Sequence, residues 1–399
     1  LLRWLDRLPE PYRRLFVPVY IPSFLMAVSQ EGLLILLPLY VIDFGHGPIF
    51  AAFVVGLRGI GVLLFDVPAG MLVARLGEKP VLLLGLAAVC GGLLLLSVTA
   101  NAWMVGAAAI LLGIGFAAWM LGRQSYVAAT CESHETGRAI AVMAGVQRGG
   151  AFVGPILGGF VALNAGYAAA FVVGALCACL AGWSVYRFAT DVEVTDEPQE
   201  GWRGSANVLR ENAKTFATTG VAALILQLMR ATRQLLVPLF GAAIGLDVAT
   251  IGAIYSISAA IDMSLFLPVG LLIDRRGRKW SAVPTMLLFS AGLALLPLAG
   301  TAVQLAAVAV LLGLANGCGT GIVMIIGADL ARHARRRSQF LGVWRLLGDS
   351  GMSSAPLITG ALMNFGGLAA ASLTVASLGL FGAVLTIFFV TETLRPRNP

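Results

Sequence analysis

Gly270-Leu-Leu-Ile-Asp274-Arg275-Arg276-Gly277-Arg278-Lys279 decides the fold of this chain, because a version of it occurs twice. Its partner, 200 residues earlier, is Gly70-Met-Leu-Val-Ala74-Arg75-Leu-Gly77-Glu78-Lys79, which keeps both glycines, the first arginine and the final lysine. Each copy lies between two long apolar runs, so each reads as a tight basic turn joining two membrane helices. The same spacing relates Pro38-Leu39-Tyr40 and Gly45 to Pro238-Leu239-Phe240 and Gly245, and Leu112-Gly113-Ile114 to Leu312-Gly313-Leu314. It drifts to 201 between Pro155 and Pro356. One half of the chain repeats the other.

Hydrophobic residues make up 58% of the 399 residues and charged residues 12%, whereas a soluble domain carries about 25% charged residues. Windows long enough to cross the bilayer fall at 15–43, 49–74, 80–100, 102–127, 139–163 and 167–188, and then at 215–244, 249–273, 281–300, 303–327, 339–363 and 367–390. The expected fold is an all-α polytopic membrane protein with twelve transmembrane helices in two pseudo-symmetric six-helix bundles. Residues 1–190 form the first bundle, 191–214 a linker and 215–399 the second. A repeated six-plus-six plan is the signature of one class of secondary transporter.

Alternate loops 1–14, 75–79, 128–138, 187–214, 274–280, 332–337 and 392–399 hold 21 of the 27 lysines and arginines, and the opposite loops hold none. The positive-inside rule then puts both termini and the linker in the cytoplasm. The net charge of +7 reflects this topology and gives no support to nucleic-acid binding, since the basic residues are dispersed without an aromatic platform. The segment from Leu1 to Phe16 lacks the apolar core of a signal peptide and reads as a cytoplasmic lead-in. In the linker, acidic residues from Asp191 to Glu200 precede a basic, amphipathic part. The five cysteines are expected as free thiols, and no metal site is expected.

The paired Gly-x-x-x-Asp-Arg-x-Gly-Arg-Lys turns on this plan resemble those of the major facilitator superfamily, most closely its twelve-helix drug:proton antiporters. The resemblance spans essentially the whole chain. It implies a cytoplasmic gate at Gly70, Arg75, Gly77 and Lys79 and at Gly270, Asp274, Arg275, Gly277 and Lys279. Ala74 stands where the family usually has Asp, which should weaken the latch or shift it to the Asp274 copy. In the fifth span Gly150, Gly154, Pro155, Gly158 and Gly159 resemble the family's antiporter motif, with Ala141 replacing its first glycine. Glycines four apart also let two helix backbones approach closely, so plain packing stands beside antiport as the reading of this motif. The arginine common early in the fourth span of proton-coupled exporters is absent, with Ala109 in its place. The family further implies a bacterial inner-membrane protein that works as a monomer on a small-molecule or lipid-like substrate.

Ten charged residues lie within the spans away from the loops: Glu31, Arg58, Asp66, Arg123, Arg148, Arg230, Arg233, Asp262, Arg345 and Asp349. Leaving all of them in lipid would cost on the order of 30 kcal/mol, so they must face a hydrated cavity or one another. Arg58 and Asp66 share a helix face, and Glu31 lies at a depth between them. Arg345 and Asp349 are spaced for an internal salt bridge. A carboxylate at low dielectric can take up and release a proton. Glu31, Asp66, Asp262 and Asp349 are therefore the expected proton-coupling residues, with neutralisation of arginines as the bland alternative. Glu31, Arg58, Arg148, Arg230, Arg233, Trp119, Tyr126 and Tyr255 are the expected substrate-binding residues. Phe24, Met26, Met120, Met229, Met263 and Phe266 are further lining candidates, though such side chains are more often packing.

The expected function is alternating-access transport, as proton-coupled export of amphipathic small molecules. It uses no cofactor, and the proton gradient is its energy source. A transporter or flippase of an anionic amphiphile, such as a lysolipid or glycolipid, is the alternative, and a non-transporting receptor or scaffold is the alternative of another class. No span carries a histidine or a His-Glu-x-x-His motif, so nothing supplies an intramembrane enzyme.

Overall fold

The computed structural model describes residues 12–99, 101–190, 202–332, 334 and 337–392. The expected N-terminal lead-in up to residue 11 and the acidic part of the linker lie outside them. Every regular element among the described residues is helical. The first half comprises α1 (Ile21–Asp43), α2 (Pro48–Leu76), α3 (Glu78–Ser97), α4 (Ala102–Thr130) and α5 (Ser133–Phe188). After α6 (Trp202–Glu211), the second half comprises α7 (Val221–Ala243), α8 (Val248–Arg276), α9 (Lys279–Leu295), α10 (Ala302–Cys318), α11 (Ile322–Ala331), α12 (Arg337–Met363) and α13 (Gly367–Phe389).

Among the described residues, ten helices are long and apolar enough to cross a membrane. One of them, Glu135–Phe188, has 54 residues and would extend about 80 Å at 1.5 Å per residue, more than twice the hydrocarbon thickness. It reverses at Gly166 (φ 82°, ψ 165°) and supplies two spans. α10 and α11 together form one span of 30 residues. α12 is long enough at 27 residues but carries Arg345, Asp349 and four serines, which lower its apolarity. It completes the twelve-span plan.

The repeat is built into the backbone. Gly45 and Gly245, Gly77 and Gly277, and Gly166 and Gly367 all adopt positive φ, a region open to glycine at little cost. Each pair closes corresponding turns of the two halves, the two basic turns included. A π-helical turn precedes α1 at Phe16–Tyr20 and α7 at Phe216–Gly220. Asn101 caps α4 through the Met104 N–H at 3.0 Å, and Thr301 caps α10 through the Gln304 N–H at 3.3 Å.

By contact the chain forms two compact units, Leu1–Glu197 with Asp247–Ser256, and Pro198–Leu246 with Ile257–Pro399. Within the first, the glycines of the fifth span are a packing surface. A methyl group at Gly150 would overlap the Ala27 side chain, and one at Gly154 would lie 2.5 Å from the Val28 carbonyl oxygen. Gly159 packs on Val248, and Gly252 on the Pro155 carbonyl. α2 and α4 meet through Gly61 and Gly113, the latter against the Arg58 carbonyl. In the second unit, Gly313 does the same against the Ser258 carbonyl. Without a hydrophobic drive between helices in lipid, such close backbone approach supplies the packing contacts that hold a bundle. The cysteines are free thiols, and Cys90 and Cys179, on α3 and the second arm of α5, bring their sulfurs to 3.2 Å.

Candidate functional site

Asp262 is the middle residue of the 29-residue α8, as far from both membrane surfaces as that helix allows. Its carboxylate accepts from Asn316 Nδ2 at 2.9 Å and from the Thr320 hydroxyl at 3.4 Å. Asn316 lies in the last turn of α10 and Thr320 within the interruption between α10 and α11, where Gly321 takes a left-handed conformation (φ 71°). Interrupting a helix inside a membrane frees carbonyls that lipid cannot satisfy. The Cys318 carbonyl accepts from the Ser281 hydroxyl, and the Gly319 carbonyl accepts from Arg230 Nη2 at 2.6 Å. Arg230 Nη1 also donates to Gln227 Oε1 at 2.8 Å. Arg233, buried a turn further along α7, donates to the Ser258 hydroxyl at 2.8 Å, and Ser258 donates to the Ala309 carbonyl at 2.5 Å. A mid-membrane carboxylate, two arginines and an irregular backbone thus share one bundle.

In the first half Arg58 is half-buried, with its guanidinium 5.2 Å from the centre of the Phe116 ring. Glu31, on α1, is the carboxylate whose charge acts on it. Arg123 is deeper, at 1% exposure. It donates to Ser23 Oγ at 3.3 Å and to Met120 Sδ at 3.0 Å, and lies 5.5 Å from the Trp119 ring. Trp119 therefore sits beside a charge. Tyr126 is committed elsewhere: its hydroxyl lies 3.3 Å from Thr190 Oγ1 and accepts from the Thr190 N–H at 3.2 Å. Tyr255 is buried, and Asp66 is half-buried on α2. Arg148 donates to the Ala144 carbonyl one turn back, at 3.3 Å. Asp349 is bridged to Arg345 at 3.3 Å, the i, i+4 pair expected from their spacing. Of the other lining candidates, Met26 and Met229 are buried, the latter against Gly379, while Phe24 and Met263 are exposed.

At the basic turn of the second half, Arg278 Nε pairs with Asp329 Oδ2 at 2.8 Å, both side chains largely buried. The Glu392 carboxylate accepts from the Arg278 and Lys279 N–H groups at 2.9 and 3.0 Å, a stabilising place for an anion at the start of a helix. Lys279 Nζ reaches the Ile387 carbonyl at 2.9 Å. In the first half Glu78 replaces Arg278 and accepts from Ser125 Oγ at 3.0 Å. Arg75, Ala74 and Arg275 are exposed, and Gly70 faces Leu121 at 3.5 Å where a methyl group would stand. Gly270 has open space there. The Asp274 side chain lies outside the described residues.

Sequence reasoning missed Asp329 and Glu392, and counted Arg123 as an intramembrane charge without giving it a role. Asp329 fell just past the end of the tenth predicted span. The signal for it was the excess of cations in the adjoining turn, which calls for a buried counter-charge.

A family model described as Major Facilitator Superfamily matches residues 19–240 and again 219–399. Multidrug resistance protein MdtH of Klebsiella pneumoniae is 27% identical over 338 residues, 79% of each chain. The protein of that name from Yersinia enterocolitica is 24% identical over 257 residues, 62% of each chain. Among solved structures, a POT family transporter in complex with a thioalcohol conjugated peptide matches with a TM-score of 0.78 at 13% identity, covering 96% of this chain and 98% of the other. The nucleoside transporter NupG matches with a TM-score of 0.76 at 14% identity, covering 94% and 100%. At these identities the two structures speak for the fold alone. With both repeats matched by one model and the twelve-span plan in place, this integral membrane chain belongs to the Major Facilitator Superfamily of transporters.

Proposed function

We propose that the chain is a proton-coupled exporter of amphipathic small molecules, working by alternating access as a monomer in a bacterial inner membrane, with both termini cytoplasmic. It needs no cofactor beyond the proton gradient. The observation that carries this reading is Asp262, a mid-membrane carboxylate held by an amide and a hydroxyl instead of by a guanidinium. Both donors tolerate a protonated acid, because Asn316 can bond the oxygen that stays unprotonated and a hydroxyl can reverse its role. By contrast, Glu31 lies under the charge of Arg58, and Asp349 is bridged to Arg345. Asp262 is thus better placed to load and release a proton, and Arg230 at the adjoining break is close enough in the fold to respond. The relatives named for multidrug resistance support an amphipathic substrate.

The test is flux of a fluorescent amphiphile in proteoliposomes under an imposed pH gradient. Wild type should follow the gradient, Asp262→Asn should lose that dependence, and Glu31→Gln and Asp66→Asn should retain more of it. Flux that ignores the gradient would remove proton coupling and favour a facilitator or lipid flippase. No flux for any probe would favour the receptor or scaffold reading. A second reading, transport of an anionic amphiphile, is favoured by the contacts of Arg123.

A further inference from the structure

Arg123 stands two turns past Phe116, the middle residue of the 29-residue α4, about 10 Å from the helix centre and within a hydrocarbon layer about 15 Å deep on each side. It is among the largest fully buried side chains of the protein. A guanidinium keeps its charge and has five N–H donors, so burying it without an anion is strongly unfavourable. Its contacts are a hydroxyl, a thioether and an indole face; among the described residues no carboxylate touches it. Arg58, Arg278 and Arg345 each have an acid at hand: Glu31, Asp329 and Asp349.

The corresponding helix of the second half carries no charge at this place. At the 200-residue offset the counterparts of Ser23, Trp119, Met120 and Arg123 are Ala223, Gly319, Thr320 and Val323, and the second half builds the corresponding span, interrupted between α10 and α11, with no basic residue of its own here. In the second half a guanidinium reaches this depth from α7 and is taken up by the Gly319 carbonyl, whereas Arg123 meets neither a freed carbonyl nor a carboxylate among the described residues, which points to a ligand.

We propose that Arg123, with the Ser23 hydroxyl and the Trp119 ring, is an anion-recognition site that takes the carboxylate or phosphate group of an amphiphilic substrate. The proposal rests on the reading of the chain as a transporter of amphiphiles and narrows its substrate class. The guanidinium fork suits two parallel oxygens of one oxyanion. Ser23 Oγ now accepts from Arg123, so its own O–H is available to donate to the anion. Trp119 covers the guanidinium with its face. Entry requires Ser23 to move off Arg123. It directly follows Pro22, and Pro18 lies in the π-helical turn before α1, both features that let a helix bend.

The experiment uses the full chain in nanodiscs, with dodecanoate, dodecyl phosphate, dodecyltrimethylammonium and inorganic phosphate competing against a fluorescent amphiphile. Wild type should prefer the two anionic chains over the cationic one by about tenfold or more, the scale of one hydrogen bond to a charged group. Arg123→Gln should remove that preference, Arg123→Lys should keep part of it, and Ser23→Ala should reduce it. An anion preference that survives Arg123→Gln, or that wild type lacks, overturns the proposal. Should Arg123→Gln fail to fold, an unchanged ratio in both Arg123→Lys and Ser23→Ala overturns it. Competition by inorganic phosphate equal to that of dodecyl phosphate would make the occupant a free anion and overturn the amphiphile assignment. Gradient-driven flux of the cationic probe with no anion preference would sink this proposal while leaving the transport reading standing.

Discussion

Arg230 donates to the Gly319 carbonyl at 2.6 Å, so a guanidinium of α7 occupies the main-chain acceptor exposed where α10 gives way to α11. The corresponding stretch of the first half, Trp119-Met120-Leu121, runs through α4 without interruption. Two halves with one scaffold thus differ at the same depth. One has a broken helix with an arginine on its backbone, the other a continuous helix with Arg123 over an indole ring.

This relationship makes Gly321 a sensitive position. Its φ of 71° is costly for a residue with a Cβ, so Gly321→Ala should destabilise the protein by about 1–2 kcal/mol and weaken gradient dependence by shifting Thr320 from Asp262. Thermal unfolding in detergent and proteoliposome flux check both effects. A stable variant with wild-type coupling would show that the interruption has no part in function.

The equivalent close contacts at Gly113 and Gly313 should fail alike. An added methyl group would overlap the Arg58 carbonyl in one half and the Ser258 carbonyl in the other. Each Ala variant should lose about 1–3 kcal/mol from forced helix separation, read as a lower unfolding temperature. Gly270→Ala, with open space around it, is the control and should leave that temperature nearly unchanged.

At the basic turns the two halves should respond unequally. Asp329→Asn strands Arg278, whose side chain is 13% exposed, and should cost about 3 kcal/mol, the lower end for breaking a buried ion pair. Ser125→Ala removes one hydrogen bond from Glu78 and should cost about 1 kcal/mol. Equal losses in denaturation of the two variants would contradict a latch carried mainly by the second turn.

Asp247 lies in the loop before α8 and accepts from the Thr250 hydroxyl at 2.6 Å and the Thr250 N–H at 2.9 Å. These hydrogen bonds hold its carboxyl below the usual carboxylate range. A depressed value means that the cap stabilises fully above the unfolded pKa of about 4 and loses that contribution as pH falls through the lower, folded value. Asp247→Ala should cost about 1 kcal/mol at neutral pH, and the difference from wild type should shrink on acidification. A difference that stays constant across that range would assign the cap to shape instead of charge.

Much of this protein was legible without coordinates. Span length, the basic turns and the paired glycines at 45 and 245 and at 77 and 277 set the twelve-span plan, because apolar length and left-handed turns are local properties written in consecutive residues; the pairing of Gly166 with Gly367 emerged only from their positive φ. The Arg345–Asp349 bridge was equally local, one helical turn apart. The charge partners across the bundles were decided only by tertiary structure: Ser23 against Arg123 across 100 positions, Gly319 against Arg230 across 89, Asp329 against Arg278 across 51. Each depends on how far a helix is rotated about its axis and where it is interrupted. A nearly uniform apolar sequence leaves both undetermined, since either rotation buries similar surface, and close packing of glycine seams selects one.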